Sequence, residues 1–435
     1  MSFFPSKPWL NPIACLFFVS AVCTPALAGT LTLEAALATA QSAHPDLLLA
    51  RAERDSAMAD LDIAGSSRDT SVDLEGILRS GRPSSWTPDF VSDNSVRLTA
   101  RKTLYDFGRS SNAELAAGFE LNAREDDLTT ALDQRRLEIM ARYFDVLLAD
   151  MQHTVDNELM AVYYVGFDQG KDRLAKGQIS SVELAELESR YRDTLEKRNA
   201  SAQRQRITRA LLANAMNLPG DLPGELEDPE LPGNQRALPD YETLLPVLLD
   251  NNPRLHAQQQ MLAASQKRMA ALRAENGPTL AAEVQAADYS RTAATRDNLS
   301  AGLILSWPLY QGNRSDSLVA REMARFDKLQ AGTNKLKMGL TQALLETCLE
   351  ITQLQGTARG AARKNTEYRD LQLEHSRGLY ELELKSNLGT SMVGTSDAKL
   401  RARRNEYQLA LSFARLEALL GRPLDEGGQT KGNGK

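Results

Sequence analysis

No proline interrupts the chain between Arg109 and Gly177. Apolar residues recur through that stretch at Leu121, Leu128, Leu132, Ile139, Tyr143 and Val146, in steps of seven, four and three. That spacing keeps one helix face apolar. At 1.5 Å per residue, a helix of this span is on the order of 100 Å long. A compact domain has no room for such a rod, and the sequence holds two: a second proline-free stretch runs from Arg314 to Arg377. A returning helical segment follows each rod, and each ends near a proline, Pro219 or Pro423.

The two rods belong to a duplication of the whole chain. "TLEAALATAQSAHPDLLLARAERDSA" from Thr32 is answered by "DYETLLPVLLDNNPRLHAQQQMLAAS" from Asp240. Each copy reads as a short helix, a break at His44-Pro45 or Asn252-Pro253, and a second helix, because a residue before proline is pushed out of the helical region. Further on, "RKTLYDFGRSSN" and "SWPLYQGNRSDS" match without a gap, pairing Leu104-Tyr105 with Leu309-Tyr310, Asp106 with Gln311, and Arg109 with Arg314.

Between the helices each half switches to strict alternation. Val72, Leu74, Gly76 and Leu78 share one face of a strand, and Val96, Leu98, Ala100 and Leu104 one face of the next, with Arg97, Thr99, Arg101 and Thr103 opposite. In the second half Leu280, Ala282, Val284 and Ala286 fall together, as do Leu299, Ala301, Leu303, Leu305 and Trp307. Strands of this length match the ~9–11 residues that cross a bilayer at a tilt. A two-sided sheet in a soluble sandwich would alternate in the same way, but it would not carry the rods. Four strands cannot close a barrel of the usual minimum of ~8, so a membrane reading requires an oligomer. "TLYDFGR" and "PLYQGNR" then mark the exits from lipid, with Tyr105 and Tyr310 at interfacial depth, Gly108 and Gly312 for the bend, and Arg109 and Arg314 opening the polar rods.

The expected layout is a leader over residues 1–28 and a first repeat over 29–218, with strands near 71–80 and 94–105 and helices near 109–176 and 180–217. A Pro/Gly-rich linker over 219–239 leads to a second repeat over 240–423, with strands near 279–289 and 298–310 and helices near 314–379 and 391–421. A disordered tail over 424–435 closes the chain. The leader follows the order of a secretory signal: Lys7, an apolar run, then "TPALA" with cleavage after Ala28. The apolar run is too short to span a membrane, which takes ~20 residues. Cys23 offers the alternative of lipoprotein processing, although Val22 before it is bulkier than that processing prefers. Past Ala28 one cysteine remains, Cys348, so cross-links do not stabilise the exported chain.

Charged residues make up 25% of the chain and interleave to a net charge of -6, with no basic patch for nucleic acid. His44, His153, His256 and His375 are isolated, and neither a metal-ligand spacing nor a nucleophile constellation is present, so no enzyme activity, cofactor or metal is expected. Most carboxylates read as solvated helix faces with basic partners a turn away. A cytoskeletal coiled coil would also be rod-like, but it would carry neither a secretory signal nor alternating strands.

The chain resembles the TolC family of outer-membrane efflux and secretion ducts over about residues 30 to 423. The resemblance rests on the twin strand-to-helix motifs, "EIMARYFDVLLA", "RLAKGQISSVELAELESRY" and "NGPTLAAEV". It implies a mainly helical fold with a small β part, assembled as a homotrimer: a twelve-stranded barrel in outer-membrane lipid, continuous with a periplasmic helical tunnel. It also implies docking to a periplasmic adaptor protein and an inner-membrane transporter of RND or ABC type, with drugs, metals or polypeptide as cargo chosen mostly by the transporter. A periplasmic adaptor is the alternative reading. The resemblance further implies carboxylates at the tunnel tip. At the first tip these positions are Gly177, Glu183 and Glu186, although Ser180 and Glu183 also form a capping box. At the second tip two registers remain open: one places Asn387 and Thr390 where acids are expected, and the other centres the turn on Leu388 to Gly394 with Asp397 as the acid.

Overall fold

The structure, a computed structural model, describes residues 30–82, 90–221, 223–291, 296–384 and 387–424. The leader with Cys23, and all of the expected tail except Leu424, lie outside these residues.

Each half opens with a helix pair. In the first half these are α1 (Leu33–Ala38), continued as a 3-10 turn over Thr39–Gln41, and α2 (Pro45–Ser66). In the second they are α5 (Tyr241–Asn251) and α6 (Pro253–Ala274). Both prolines open the second helix of their pair, where the missing N–H costs nothing. The residues before them, His44 and Asn252, are extended, and each accepts a hydrogen bond from a first-turn N–H.

Strands follow each pair: β1 (Thr70–Ile77), the short β2 (Ser80–Gly81) and β3 (Val91–Ser92), and β4 (Ser95–Tyr105); then β5 (Thr279–Tyr289) and β6 (Leu299–Ser306). The main sheet is antiparallel in the order β1-β4-β5-β6, so the inner pair joins the two halves. Cross-strand rows such as Val72, Ala100, Val284, Ala301 and Leu74, Leu98, Ala286, Leu299 make one face apolar. The next row, Asp73, Thr99, Gln285, Ser300, lies on the other face, where Arg97 meets Glu75 and Arg101 meets Glu283. Apolar side chains on this sheet face outward uncovered, with Leu74 at 72% and Leu303 at 68% exposure.

Three strand details differ from expectation. The first strand stops at Ile77 because Asn94 Oδ1 accepts from the Arg79 N–H at 3.0 Å, substituting a side chain for the next ladder bond. The fourth stops at Ser306 because Pro308 has no N–H to donate. In β4 the register shifts between Thr103 and Tyr105: Thr103 opposes Ala281 and Tyr105 opposes Leu280. Leu104 is therefore the extra residue of a bulge, and Tyr105 rather than Leu104 continues the apolar face.

The long helices are α3 (Arg109–Ala175) and α4 (Ser181–Ala215) in the first half, and α7 (Arg314–Gln353), α8 (Arg359–Glu381) and α9 (Leu388–Leu420) in the second. The second rod is not one uninterrupted α-helix, because a π turn over Leu354–Ala358 separates α7 from α8. Near the sheet the helices pack in the order α2-α3-α6-α7, matching the strands they join. Farther away the order is α4-α3-α9-α8.

Two apolar clusters form a belt where these tiers meet. One gathers Ile139, Tyr143 and Phe144 of α3 with Leu212, Ala36 and Tyr407. The other gathers Leu244, Leu255, Leu344, Ile351, Phe413 and Leu416. Cys348 is buried in the second, and its burial raises the thiol pKa. No helix among the described residues is long and apolar enough to cross a membrane.

Candidate functional site

Three places along the molecule carry the candidate residues: the strand-to-helix junctions, the two helical tips and the belt between them.

At the first junction the chain turns through Phe107 and Gly108, both at positive φ (55° and 80°). Gly108 is the N-cap of α3, but the side chain that caps the helix is that of Asp106. Its carboxylate accepts from the Ser110 N–H at 2.8 Å and from the Ser110 hydroxyl. Partial burial alone would raise the Asp106 pKa, yet the bonds from Ser110, together with the Gly108 N–H and the Arg109 charge, outweigh it and lower the carboxyl below its ordinary value. Phe107 packs edge-on against Tyr105, with ring centroids 5.1 Å apart. A side chain at Gly277 would strike Phe107 at 3.0 Å.

The second junction repeats the bend at Gly312 (φ 63°) but not the cap. Gln311 stands where Asp106 does, and no side chain caps α7 at Asn313. Arg314 instead pairs with Glu275 at the end of α6, at 3.0 Å. Leu309 and Tyr310 are nearly fully exposed, and Tyr105 and Trp307 more than half so. The junctions thus carry a band of uncovered aromatic side chains at the helix end of the apolar sheet face.

At the first tip α3 ends through Gly177 at φ 68°, whose N–H reaches the Leu174 carbonyl at 2.8 Å. The capping box is fully formed: the Ser180 N–H donates to Glu183 Oε2 at 2.7 Å, and the Glu183 N–H to Ser180 Oγ at 3.2 Å. The backbone bond from Ser180, then that from its hydroxyl, lowers the Glu183 pKa. Glu186, one turn on, is exposed and pairs with Arg190.

At the second tip Leu388 to Gly394 are helical, so the register that centres the turn there does not hold. Asn387 sits at the N-cap, Thr390 lies in the first turn, and Asp397 lies well inside α9, paired with Arg401 at 2.9 Å. The glycines that suggested a turn serve packing instead. A Cβ on Gly389 would come within 2.8 Å of Val162 on α3, and one on Gly394 within 3.2 Å of Arg369 on α8.

Sequence reasoning missed the belt. The Pro/Gly-rich segment does more than connect the halves: its 3-10 turn Pro232–Gln235 buries Asn234 to 2% exposure. Asn234 Nδ2 donates to the Glu406 carbonyl at 2.9 Å and to its carboxylate at 2.8 Å. Arg359, first residue after the π turn, grips the same carboxylate with two bonds at 2.8 and 2.6 Å. Gln355, within the π turn, donates to the Arg236 carbonyl at 2.8 Å. Hydrogen bonds from Arg359, despite burial, lower the Glu406 pKa. Beside it the Tyr407 hydroxyl donates to Asp228 at 2.7 Å, and its ring stacks on Phe144. The one available signal was that Leu226, Leu231 and Leu238 are apolar, which a plain spacer does not need.

Among the described residues no group of histidine, cysteine and carboxylate side chains is arranged to hold a metal ion. No protein-family model matches the sequence, and no curated protein matches it. Solved structures do match in fold. The CmeC outer membrane channel of Campylobacter jejuni superposes with a TM-score of 0.74 at 14% identity, over 89% of this chain and 85% of that one. The outer membrane protein VceC of Vibrio cholerae gives 0.72 at 15% identity, over 90% and 97%. The open state of the MtrE outer membrane channel of Neisseria gonorrhoeae gives 0.70 at 15%, over 92% and 91%. The fold is thus the one shared by outer-membrane channels of the TolC kind, mainly helical with a small sheet, as the sequence resemblance implies.

Proposed function

We propose that three copies of this chain stand side by side in the outer membrane as one duct, through which cargo leaves the periplasm for the exterior. One observation carries the reading: every tier of the chain ends at the same two open edges. The sheet stops at β1 and β6, the upper helices at α2 and α7, and the lower ones at α4 and α8. Unpaired strand edges cost several kcal/mol per backbone group in hydrocarbon, so an apolar-faced sheet with two of them is stable in lipid only when closed. The edge helices are also unfinished. Leu49 and Ile63 on α2, Met338 and Leu349 on α7, and Leu371 on α8 are uncovered.

Pairing β1 of one copy with β6 of the next covers both edges and places the edge helices against each other. Four strands from each of three copies make a barrel of twelve, above the minimum of ~8. The charged sheet face, with its Arg97–Glu75 and Arg101–Glu283 pairs, then lines the water-filled side. The apolar face meets lipid, with the aromatic band of Tyr105, Trp307 and Tyr310 at the periplasmic boundary. The duct performs no chemistry and is passive. A periplasmic adaptor docks at the tips, and an inner-membrane transporter, RND or ABC, supplies the energy and selects the cargo.

Glu186, near the first tip, and Asp397, farther along α9, are the carboxylates proposed to act on permeating ions, since each pairs with an exposed arginine a turn away. Planar-bilayer recording tests the reading. The purified protein should form long-lived conducting pores, and Glu186→Ala or Asp397→Ala should change conductance or cation preference. Failure to conduct at any protein concentration, or fractionation away from the outer membrane, would contradict the duct. Unchanged conductance and selectivity in both variants would remove these carboxylates from the pore.

A further inference from the structure

Leu31 is built into the belt. Its N–H donates to the Glu225 carbonyl at 2.9 Å, and its carbonyl accepts from the Glu227 N–H at 3.0 Å, adding a parallel bridge to Leu226. The buried Tyr143 hydroxyl closes the same carbonyl at 2.7 Å. That contact fixes the height of Leu31 on the molecule, because Tyr143 belongs to α3, which starts at Arg109 directly below the sheet. Thirty-four residues of unbroken helix separate the two, a rise of ~50 Å. A second route is shorter but still exceeds 22 residues of helix: α2, which climbs from the belt to β1, spans ~33 Å, and three further residues lead on to Thr70.

Cys23 lies eight residues before Leu31. Whatever its conformation, a segment that long reaches at most ~29 Å. A thioether-linked diacylglycerol at Cys23 would hang well short of the bilayer that the sheet spans, even with the segment fully drawn out toward it. We infer that the leader is removed after Ala28 and that Cys23 is not a lipid-attachment site. The mature chain begins with an unmodified Gly29, two residues before Leu31 in the belt. Leu31, close to that start, is then a structural part of the belt rather than the foot of a tether. This inference rests on the outer-membrane placement proposed above.

The test is the intact mass of the full-length protein, expressed with its own leader in a Gram-negative host and extracted from isolated outer membranes. The expected species starts at Gly29 and carries no acyl chains. Cys23→Ser should leave its outer-membrane yield within twofold. A species starting at diacylated Cys23, or a yield reduced more than fivefold by Cys23→Ser, would overturn the inference. Protein starting at Gly29 but found outside the outer membrane would support the processing and instead overturn the duct reading.

Discussion

Asn234 is the residue on which the belt turns, because its side-chain amide satisfies two acceptors on Glu406 while its backbone carbonyl accepts from Gln355 and Arg359. Asn234→Ala removes the first pair and leaves a partly buried carboxylate with one partner fewer. A loss of about 1–3 kcal/mol in unfolding free energy is expected, read as a lowered midpoint in thermal or denaturant melts of the detergent-solubilised protein. A second residue-scale prediction concerns Asp93, between β3 and β4. It accepts from Arg296 and Arg79, and these bonds hold its pKa down to about 2. A depressed carboxyl contributes most above its ordinary value near 3.8 and loses that contribution as pH falls through about 2. Hydrogen exchange of the Asp93 amide, which donates to Arg79 at 2.7 Å, should therefore stay protected from pH 7 to pH 4. Protection that already collapses at pH 4 would contradict the clamp. Of these residues the sequence revealed only what was local. Ser180 and Glu183, three apart, could be read as a capping box, whereas Asn234 and Glu406 meet across 172 positions and leave no periodic trace.

Among the elements, alternation made the sheet faces readable, since a strand's side chains change sides at every residue. The bulge at Leu104 was hidden because it arises from how β4 pairs with β5, which no single strand encodes. The π turn was hidden for a similar reason: "LQGTA" is an ordinary helical stretch until Gln355 must reach the backbone of the linker. At the second tip, glycine misled because a turn and a close helix crossing ask for the same missing Cβ. Only the contacts of Gly389 with Val162 separate the two. The faces themselves can be tested. Val284 lies on the apolar face of an inner strand, and its neighbour Gln285 on the charged face. Val284→Arg should cost about 2–4 kcal/mol of stability in lipid, seen as a strong drop in folded outer-membrane protein. Gln285→Arg should leave folded yield near wild type. Equal losses from both would mean that the sheet has no lipid side.

Over the whole molecule, the duplication and the two proline-free rods already excluded a compact domain, and the structure adds where the chain is incomplete. Each tier ends at an edge, and the two edges of the sheet belong to different halves of the repeat. Periodicity could state that four strands do not close, but not that β1 and β6 are the strands left over. That follows from β4 and β5 pairing at the centre. Closure by a second and third copy is therefore the central claim, and cysteine cross-linking addresses it directly. Within one copy β1 and β6 are separated by two strands, so their backbones lie ~14 Å apart, beyond the ~6 Å that a disulfide bridges. Paired substitutions along the two edges, Asp73→Cys with Ser300→Cys and its neighbours in register, should on oxidation give covalent dimers and trimers that reduction returns to single chains. If no pair along the edges links one chain to another in protein taken from the outer membrane, closure between copies is wrong.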